Sequence, residues 1–200
     1  MASLGQAKTL GGVGSILVLL SFVPYAGFAL AIVGFILILV AIKYISEVIG
    51  DPAVFNNMMI AVVLAIVGLV VGGIVVFGAV YSLIGLGSIG TTSTISGGVL
   101  GLIAAIIIGL VVIWIFYLIA SIFIKRSYDT VANRLNVGTF HTAGLLYLIG
   151  AALTIIFVGI IIVFIAEIFQ IVAFFSIPEQ MVMGPQPMPE QMGPTPPRTS

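Results

Sequence analysis

The chain has 200 residues, of which 62% are hydrophobic and 6% are charged, and its formal net charge is zero. A soluble domain carries about 25% charged residues, so this composition excludes a soluble fold and predicts that lipid surrounds most of the chain. The balanced charge gives no attraction for nucleic acid, and the absence of cysteine excludes disulfides and thiol catalysis.

The first long apolar run predicts a hairpin of two helices. It extends from Leu10 to Ile42, too long for one crossing of about 20 residues. Pro24 interrupts it because proline breaks the helical hydrogen-bond ladder. We therefore predict helix 1 over about 8–23 and helix 2 over about 26–48. Lys8 ahead of this run mimics the start of a cleavable signal, but the run continues too far, so we expect an uncleaved first helix.

Helix 3 has a clear start and one face of small residues. Asp51 is a good N-cap and Pro52 suits a first helical position, and the helix is predicted to run to about Ile84. Small residues on one face let helix backbones approach closely. We expect this face to pack on another helix of the chain, with a homodimer contact as the alternative. The face contains Ala61, Ala65, Gly68 and Gly72.

An uncharged Ser/Thr/Gly-rich loop, Gly85–Gly98, is predicted before helix 4, which should end near Phe123. In residues 125–139, apolar residues then recur at helical spacing, and the charged and polar residues Arg126, Asp129, Asn133 and Arg134 lie mostly off their face. This pattern predicts a short helix lying in the membrane interface between spans 4 and 5 and ended by Gly138. Its apolar face would be formed by Tyr128, Val131, Ala132 and Leu135.

The last apolar run decides the number of spans. Phe140–Ile177 would measure about 57 Å as one straight helix, nearly twice the hydrocarbon thickness. Two shorter spans that meet near Val158-Gly159 solve this problem, and they place Arg198 on the same side as the other basic residues. We predict an all-α, polytopic transmembrane helix bundle with six spans; one long last helix, and hence five spans, is the alternative.

The charges predict the orientation and the localisation. Basic residues flank the breaks near 1–9, 43–57 and 125–139, whereas the break at Pro24 and the loop after helix 3 carry no charge. The excess of Lys and Arg marks the cytoplasmic side. We therefore predict a multi-pass protein of the cell membrane with both termini in the cytoplasm.

Two regions are predicted: a transmembrane helical domain over residues 1–177 and a tail over residues 178–200. The tail contains seven of the nine prolines and repeats Pro-Glu-Gln-Met. Such a Pro/Met/Gln-rich sequence buries no core. We expect a disordered cytoplasmic tail that is available to a partner.

Glu167 is the acid inside an apolar run. In the six-span topology it lies near mid-membrane, where a charged acid costs about 2.5–3.5 kcal/mol, so an ionisable residue at this depth is a candidate functional group. A proton-coupled carrier could use such an acid. The structural alternative is a neutral glutamic acid that is hydrogen-bonded to Thr154, Gln170 or a carbonyl and joins helices.

The sequence offers no case for an enzyme, a cofactor or a metal. His141 is the sole histidine, and one histidine without other ligands builds no metal site. The leading hypothesis is a non-enzymatic structural or interaction membrane domain whose partners are the lipid bilayer and a homo-oligomer, with no nucleic acid. The alternative is a small proton-linked carrier or channel that uses Glu167 near mid-membrane.

Three glycine-rich or aromatic blocks resemble a known family. They are Thr9–Leu17, Phe140–Gly150 and Ala173–Pro178. They are similar to blocks of an uncharacterised, mainly archaeal membrane protein family, domain of unknown function 996. The resemblance covers about residues 8–178, the helical part of a multi-pass protein. It implies a self-contained membrane domain and nominates no catalytic residue.

Overall fold

The computed structural model describes residues 3–87 and 92–179, and this part of the chain folds into α-helices without a strand. Five of the helices, α2 to α6, are long and apolar enough to cross a membrane, whereas α1 has only 16 residues. This confirms the all-α helix bundle and indicates a multi-pass membrane protein. The helices are α1 (Leu4–Leu19), α2 (Gly27–Ile49), α3 (Pro52–Gly87), α4 (Thr92–Leu135), α5 (Gly138–Leu153) and α6 (Val158–Phe175).

The predicted hairpin at Pro24 is confirmed. After α1 the chain makes a short 3-10 helix, Leu20–Phe22. It then turns at Tyr25, whose backbone is left-handed with a φ of 68°, and enters α2 at Gly27. Proline stops the first helix because it supplies no backbone N–H for the ladder.

The start of α3 follows the predicted capping chemistry. Gly50 ends α2 in the left-handed conformation, with a φ of 68°, which glycine adopts without steric penalty. The Asp51 side chain then accepts a hydrogen bond from the backbone N–H of Ala53 at 3.0 Å. Pro52 is the first helical residue, as predicted. The helix ends at Gly87, so the loop predicted at 85–98 is too long, since α4 begins at Thr92.

The last apolar run forms two helices, and the single long helix is wrong. α5 ends at Leu153, a 3-10 helix covers Thr154–Ile156, and α6 begins at Val158. The reversal takes place at Phe157, which has a φ of 63°, one residue before the predicted position. A left-handed residue ends a helix because it turns the chain away from the helical path.

The predicted interfacial helix is wrong. α4 continues without a break from Thr92 to Leu135, and its amphipathic face is buried, with Tyr128 1% exposed and Val131 fully buried. The pattern therefore reflects packing inside the bundle. The left-handed residue that ends α4 is Asn136, with a φ of 54°, whereas Gly138 is the first residue of α5.

The six helices form three hairpins, α1–α2, α3–α4 and α5–α6, each with one close approach between two glycines. A Cβ atom on Gly14 would lie 2.6 Å from a backbone oxygen of the facing helix, and one on Gly72 would lie 2.7 Å from its own facing oxygen. Only glycine fits such contacts, which are common between helices in membranes. The pairs are Gly14 with Gly34, Gly72 with Gly109, and Gly150 with Gly159.

The hairpins pack through α4 against α5 and α1 against α6, while α2 and α3 contact each other less extensively. We call the end with the α2–α3 and α4–α5 connections the connector end, and the end with Tyr25 and Phe157 the turn end. An aromatic core lies near the connector end: the Phe140 ring centroid is 5.4 Å from that of Tyr128 and 5.1 Å from that of Phe174.

Two helices are much longer than the others. α3 has 36 residues and α4 has 44, against 16 to 23 for the other four. In the halves of α3 and α4 that lie away from the connector end, large apolar side chains are exposed; examples are Ile74, Phe77 and Leu100. The predicted tail lies outside the described residues from position 180 onward, so the division at residue 178 stays a prediction.

Candidate functional site

Gln170 joins four helices through one buried amide. From α6, its Oε1 accepts hydrogen bonds from the hydroxyls of Tyr128 at 2.6 Å and Tyr147 at 2.9 Å. Its Nε2 donates to Ser15 Oγ at 2.8 Å, and Ser15 in turn donates to the Gly11 carbonyl of its own helix. Gln170 is only 3% exposed, so α1, α4, α5 and α6 meet at a satisfied polar network in an apolar bundle.

Glu167 lies one helical turn from this network, on the same face of α6. It is the tenth of the 18 residues of α6, which places its side chain about 14 Å from the turn end of that helix. Its Oε2 atom is buried and has no hydrogen-bond partner among the described residues. A buried polar oxygen without a partner is rare in folded proteins, which makes Glu167 the candidate functional residue of this site.

The Tyr147 hydroxyl links the two side chains. It donates to Gln170, and it also interacts with the Glu167 carboxyl. A tyrosine hydroxyl has one hydrogen to donate, and in the structure Tyr147 gives it to Gln170. A hydrogen bond from Tyr147 to an ionised Glu167 would replace that bond.

Glu167 lies in the walls of two cavities. The connector cavity, of about 190 Å³, has walls from all six helices. It contains Glu167 and Gln170, and it is lined by aromatic and apolar side chains, among them Tyr117, Tyr128, Tyr147, Phe35 and Met58. The turn cavity, of about 200 Å³, lies toward the opposite end and contains Ser21 and Thr154. The residues that line both are Val18, Tyr117, Val163 and Glu167.

The residues predicted from the sequence have different places in this site. Glu167 and Gln170 both line the connector cavity, and Gln170 bonds to two tyrosines and a serine. Thr154 lines the turn cavity, yet its hydroxyl donates to the Gly150 carbonyl at 2.7 Å. Among the hydrogen bonds of the described residues, none joins Glu167 to Thr154 or to Gln170, two of the three kinds of partner that the structural alternative allowed.

The small-residue face of α3 divides between two surroundings. Gly68 lies against the Phe116 side chain and Gly72 against Gly109 of α4. Ala61 and Ala65 instead line the connector cavity. The face thus contributes both to a helix contact and to the wall of the site.

Sequence reasoning missed the aromatic part of the site. Tyr117, Tyr128 and Tyr147 line the connector cavity together with Glu167. Tyrosine prefers the membrane interface, so the positions of Tyr117 and Tyr147 deep in apolar runs could have identified them as site residues. The sequence around Ser15 has no comparable feature.

A second polar cluster lies at the connector end. Asp129 pairs with Lys125 one turn away, and its other oxygen lies 2.7 Å from His141 Nδ1. The His141 side chain is 57% exposed. Within the described ranges, no three His, Asp or Glu side chains converge in a way that would hold a metal ion.

Comparison with known proteins gives a family and no activity. The family described as Protein of unknown function (DUF996) matches residues 30–168. The chain is also similar to Uncharacterized protein MJ1644 of Methanocaldococcus jannaschii, with 36% identity over 178 residues, 89% of this chain and 95% of that protein. No solved structure matches the chain. The family match covers more than half of the chain, and the protein therefore belongs to the DUF996 family.

Proposed function

We propose that this protein is a small proton-linked carrier that binds its solute at Glu167. The observation that carries the proposal is the buried Glu167 Oε2 atom without a partner, in a side chain that lines two cavities of a helix bundle. Ionisable residues inside membranes are costly and face a path or a partner. Here the path is the pair of cavities.

The division of work between Glu167 and Gln170 supports this proposal. Gln170 uses its acceptor oxygen and its amide for three hydrogen bonds between helices, which is what helix joining requires. Glu167 leaves one oxygen unused. An acid kept only to join helices would be expected to use both oxygens, because an unsatisfied buried polar group destabilises the fold.

The arrangement of the hairpins supports a route to the site. The connector cavity and the turn cavity extend from Glu167 toward opposite ends of the bundle. The α2–α3 contact is less extensive than the α4–α5 and α1–α6 contacts, so the hairpins can separate there with the smallest loss of packing. We propose six spans, with the connector end and both termini in the cytoplasm, as the basic residues indicate.

The Gln170 network favours a second candidate, a structural or interaction domain without transport. In that case the hydroxyls of Tyr128 and Tyr147 join helices through Gln170, and Glu167 contributes only to the packing beside them. The two candidates differ in one measurable respect. A carrier needs the Glu167 carboxyl for solute-linked proton movement, whereas a structural domain moves no protons.

The test uses the full chain in proteoliposomes that enclose the pH dye pyranine. Four solutes are added outside in turn: tetraethylammonium, ethanesulfonate, glycine and glycerol. We expect at least one to change the internal pH with the wild type and not with Glu167→Gln. A proton-linked carrier predicts this because movement of its solute and of a proton share one carboxyl.

Glu47→Gln is the matched control, because Glu47 is on the surface of α2 with a side chain 51% exposed. It should behave as the wild type. Size-exclusion elution and helical circular dichroism of Glu167→Gln must match the wild type, and Glu167→Asp, which keeps the carboxylate, should restore part of the response. If none of the four solutes produces a Glu167-dependent pH change, the carrier proposal is wrong and the structural candidate replaces it.

A further inference from the structure

We infer that the solute bound at Glu167 is a small monovalent organic cation, exchanged one for one with a proton. This inference rests on the proposed function and names the class of its substrate. It follows from three features of the site: the charges that line it, the aromatic rings around it and its volume.

The charge of the site is set by one group. Among the described residues that line the two cavities, the titratable ones are Glu167, Tyr117, Tyr128 and Tyr147, and tyrosine is neutral at physiological pH. The facing residues of α1, such as Ser15 and Ser21, carry no charge. A single carboxyl in apolar surroundings is electrically balanced by one proton or by one monovalent cation.

The aromatic residues select the kind of cation. Tyr117 lines both cavities, and Tyr128 and Tyr147 line the connector cavity together with Phe35. The face of an aromatic ring attracts organic and quaternary ammonium groups. A metal ion would instead need several oxygen ligands, and Glu167 offers one free carboxylate oxygen. An ammonium group with alkyl substituents satisfies the carboxylate and the apolar walls together.

The volume limits the size of the cation. The two cavities measure about 190 Å³ and about 200 Å³. A cavity of about 150 Å³ holds benzene, whereas sites for drug-sized ligands have about 300–1,000 Å³. The site therefore suits a cation slightly larger than benzene, and tetraethylammonium is a suitable probe.

The exchange balances in charge and atoms. With the proton bound, Glu167 is a neutral carboxylic acid. The carboxyl releases this proton to the outside, where the arriving cation pairs with the carboxylate. The cation then dissociates on the inside, and the carboxylate takes up the next proton from the inside. One positive charge enters for each one that leaves, so the membrane potential does not drive the exchange. An external cation should therefore raise the internal pH.

The experiment uses the same pyranine-loaded proteoliposomes and adds tetraethylammonium, which cannot cross lipid in a neutral form. We expect internal alkalinisation with the wild type and with Glu47→Gln, and none with Glu167→Gln. Clamping the membrane potential with valinomycin and potassium should leave the initial rate unchanged. Tetrabutylammonium, which is too large for the cavities, should give no response.

A ring substitution tests the aromatic contribution separately. Tyr117→Leu should raise the half-saturating concentration of tetraethylammonium by about 2- to 30-fold more than Tyr117→Phe, which keeps the ring. A purely structural role of Tyr117 would change protein stability without this difference between the two variants.

The outcomes separate this inference from the proposed function. A Glu167-dependent pH change with ethanesulfonate, glycine or glycerol, and not with tetraethylammonium, overturns the cation class and leaves the carrier intact. No pH change with any solute overturns both. A tetraethylammonium response that persists in Glu167→Gln, or that follows the clamped potential, overturns the exchange at Glu167.

Discussion

Gln170→Leu removes the amide that joins α1, α4, α5 and α6, and its effect can be worked out from the hydrogen bonds. Interhelical hydrogen bonds in membrane proteins contribute about 0.6 kcal/mol on average and about 1.7 kcal/mol at most. Gln170 makes three of them, with Tyr128, Tyr147 and Ser15. We expect the free energy of unfolding to fall by about 2 kcal/mol, with an upper bound of about 5 kcal/mol.

The structure also predicts that the two tyrosines respond differently. Without Gln170, the Tyr128 hydroxyl loses the acceptor that the structure gives it, and an unsatisfied buried hydroxyl costs about 1–3 kcal/mol. We expect the Tyr147 hydroxyl to turn to Glu167 instead, because both side chains line the connector cavity. In double-mutant cycles, the coupling between Tyr128→Phe and Gln170→Leu should therefore be about 1–2 kcal/mol. For Tyr147→Phe it should be about 0.5 kcal/mol.

The assay is denaturant unfolding of purified protein in detergent micelles. It is followed by the fluorescence of the single tryptophan, Trp114, which bonds from α4 to the Ala151 carbonyl of α5. The cycles are then repeated in a Glu167→Leu background, where Tyr147 has lost its second acceptor and its coupling to Gln170 should rise to that of Tyr128. If the coupling between Tyr147→Phe and Gln170→Leu is the same with and without Glu167→Leu, then Tyr147 does not share its hydroxyl between Gln170 and Glu167.

Three further predictions concern stability. Gly72→Leu should destabilise the protein by about 1–3 kcal/mol, because a side chain at this position would collide with α4. Its control is Gly73→Leu, since a Cβ atom at Gly73 would have nothing within 4 Å. The control should lie within about 0.5 kcal/mol of the wild type in thermal unfolding. Asn136→Ala should cost about 1 kcal/mol more than Asn136→Gly, because alanine fits the left-handed backbone poorly; equal unfolding temperatures would contradict this. Trp114→Phe should lower stability by about 0.6 kcal/mol through its lost hydrogen bond, as read by circular dichroism, and no change would show that this bond adds nothing.

The elements that the sequence predicted well are those set by local chemistry. Pro24 and the Asp51-Pro52 pair act on their own backbone neighbours, so their turn and helix start are visible without a fold. The split of the last run follows from length alone, because one helix of that size exceeds the membrane. The turn lies one residue before the predicted Val158-Gly159. Glycine is the residue expected in a left-handed turn, but here the left-handed residue is Phe157.

The prediction of an interfacial helix is wrong because an apolar stripe at helical spacing has two possible physical causes. An apolar stripe such as Tyr128, Val131 and Leu135 suits a helix that lies on lipid and a helix that buries the stripe in a bundle. Only the facing side chains, Phe140 among them, decide between these cases. Those partners belong to another helix, so the pattern of α4 contains no information about them.

For a similar reason, the sequence identifies Glu167 but not the hydroxyl groups that surround it. Glu167 was found because its chemistry conflicts with its depth, a conflict that the local sequence shows. The hydroxyls around it come from positions up to 155 residues away from Gln170. Their convergence depends on how three hairpins pack, which helix periodicity does not report.

The unequal lengths of the helices make the bilayer itself a variable for this protein. α3 and α4 carry uncharged apolar sequence well beyond the length of α1, α5 and α6, so one side of the molecule matches a thicker membrane than the other. Such a mismatch is relieved by tilting the longer helices or by deforming the lipid. Because α3 also forms a wall of the connector cavity, tilting this hairpin moves that wall. Acyl-chain length should therefore change how readily the space beside Glu167 opens, independently of any solute.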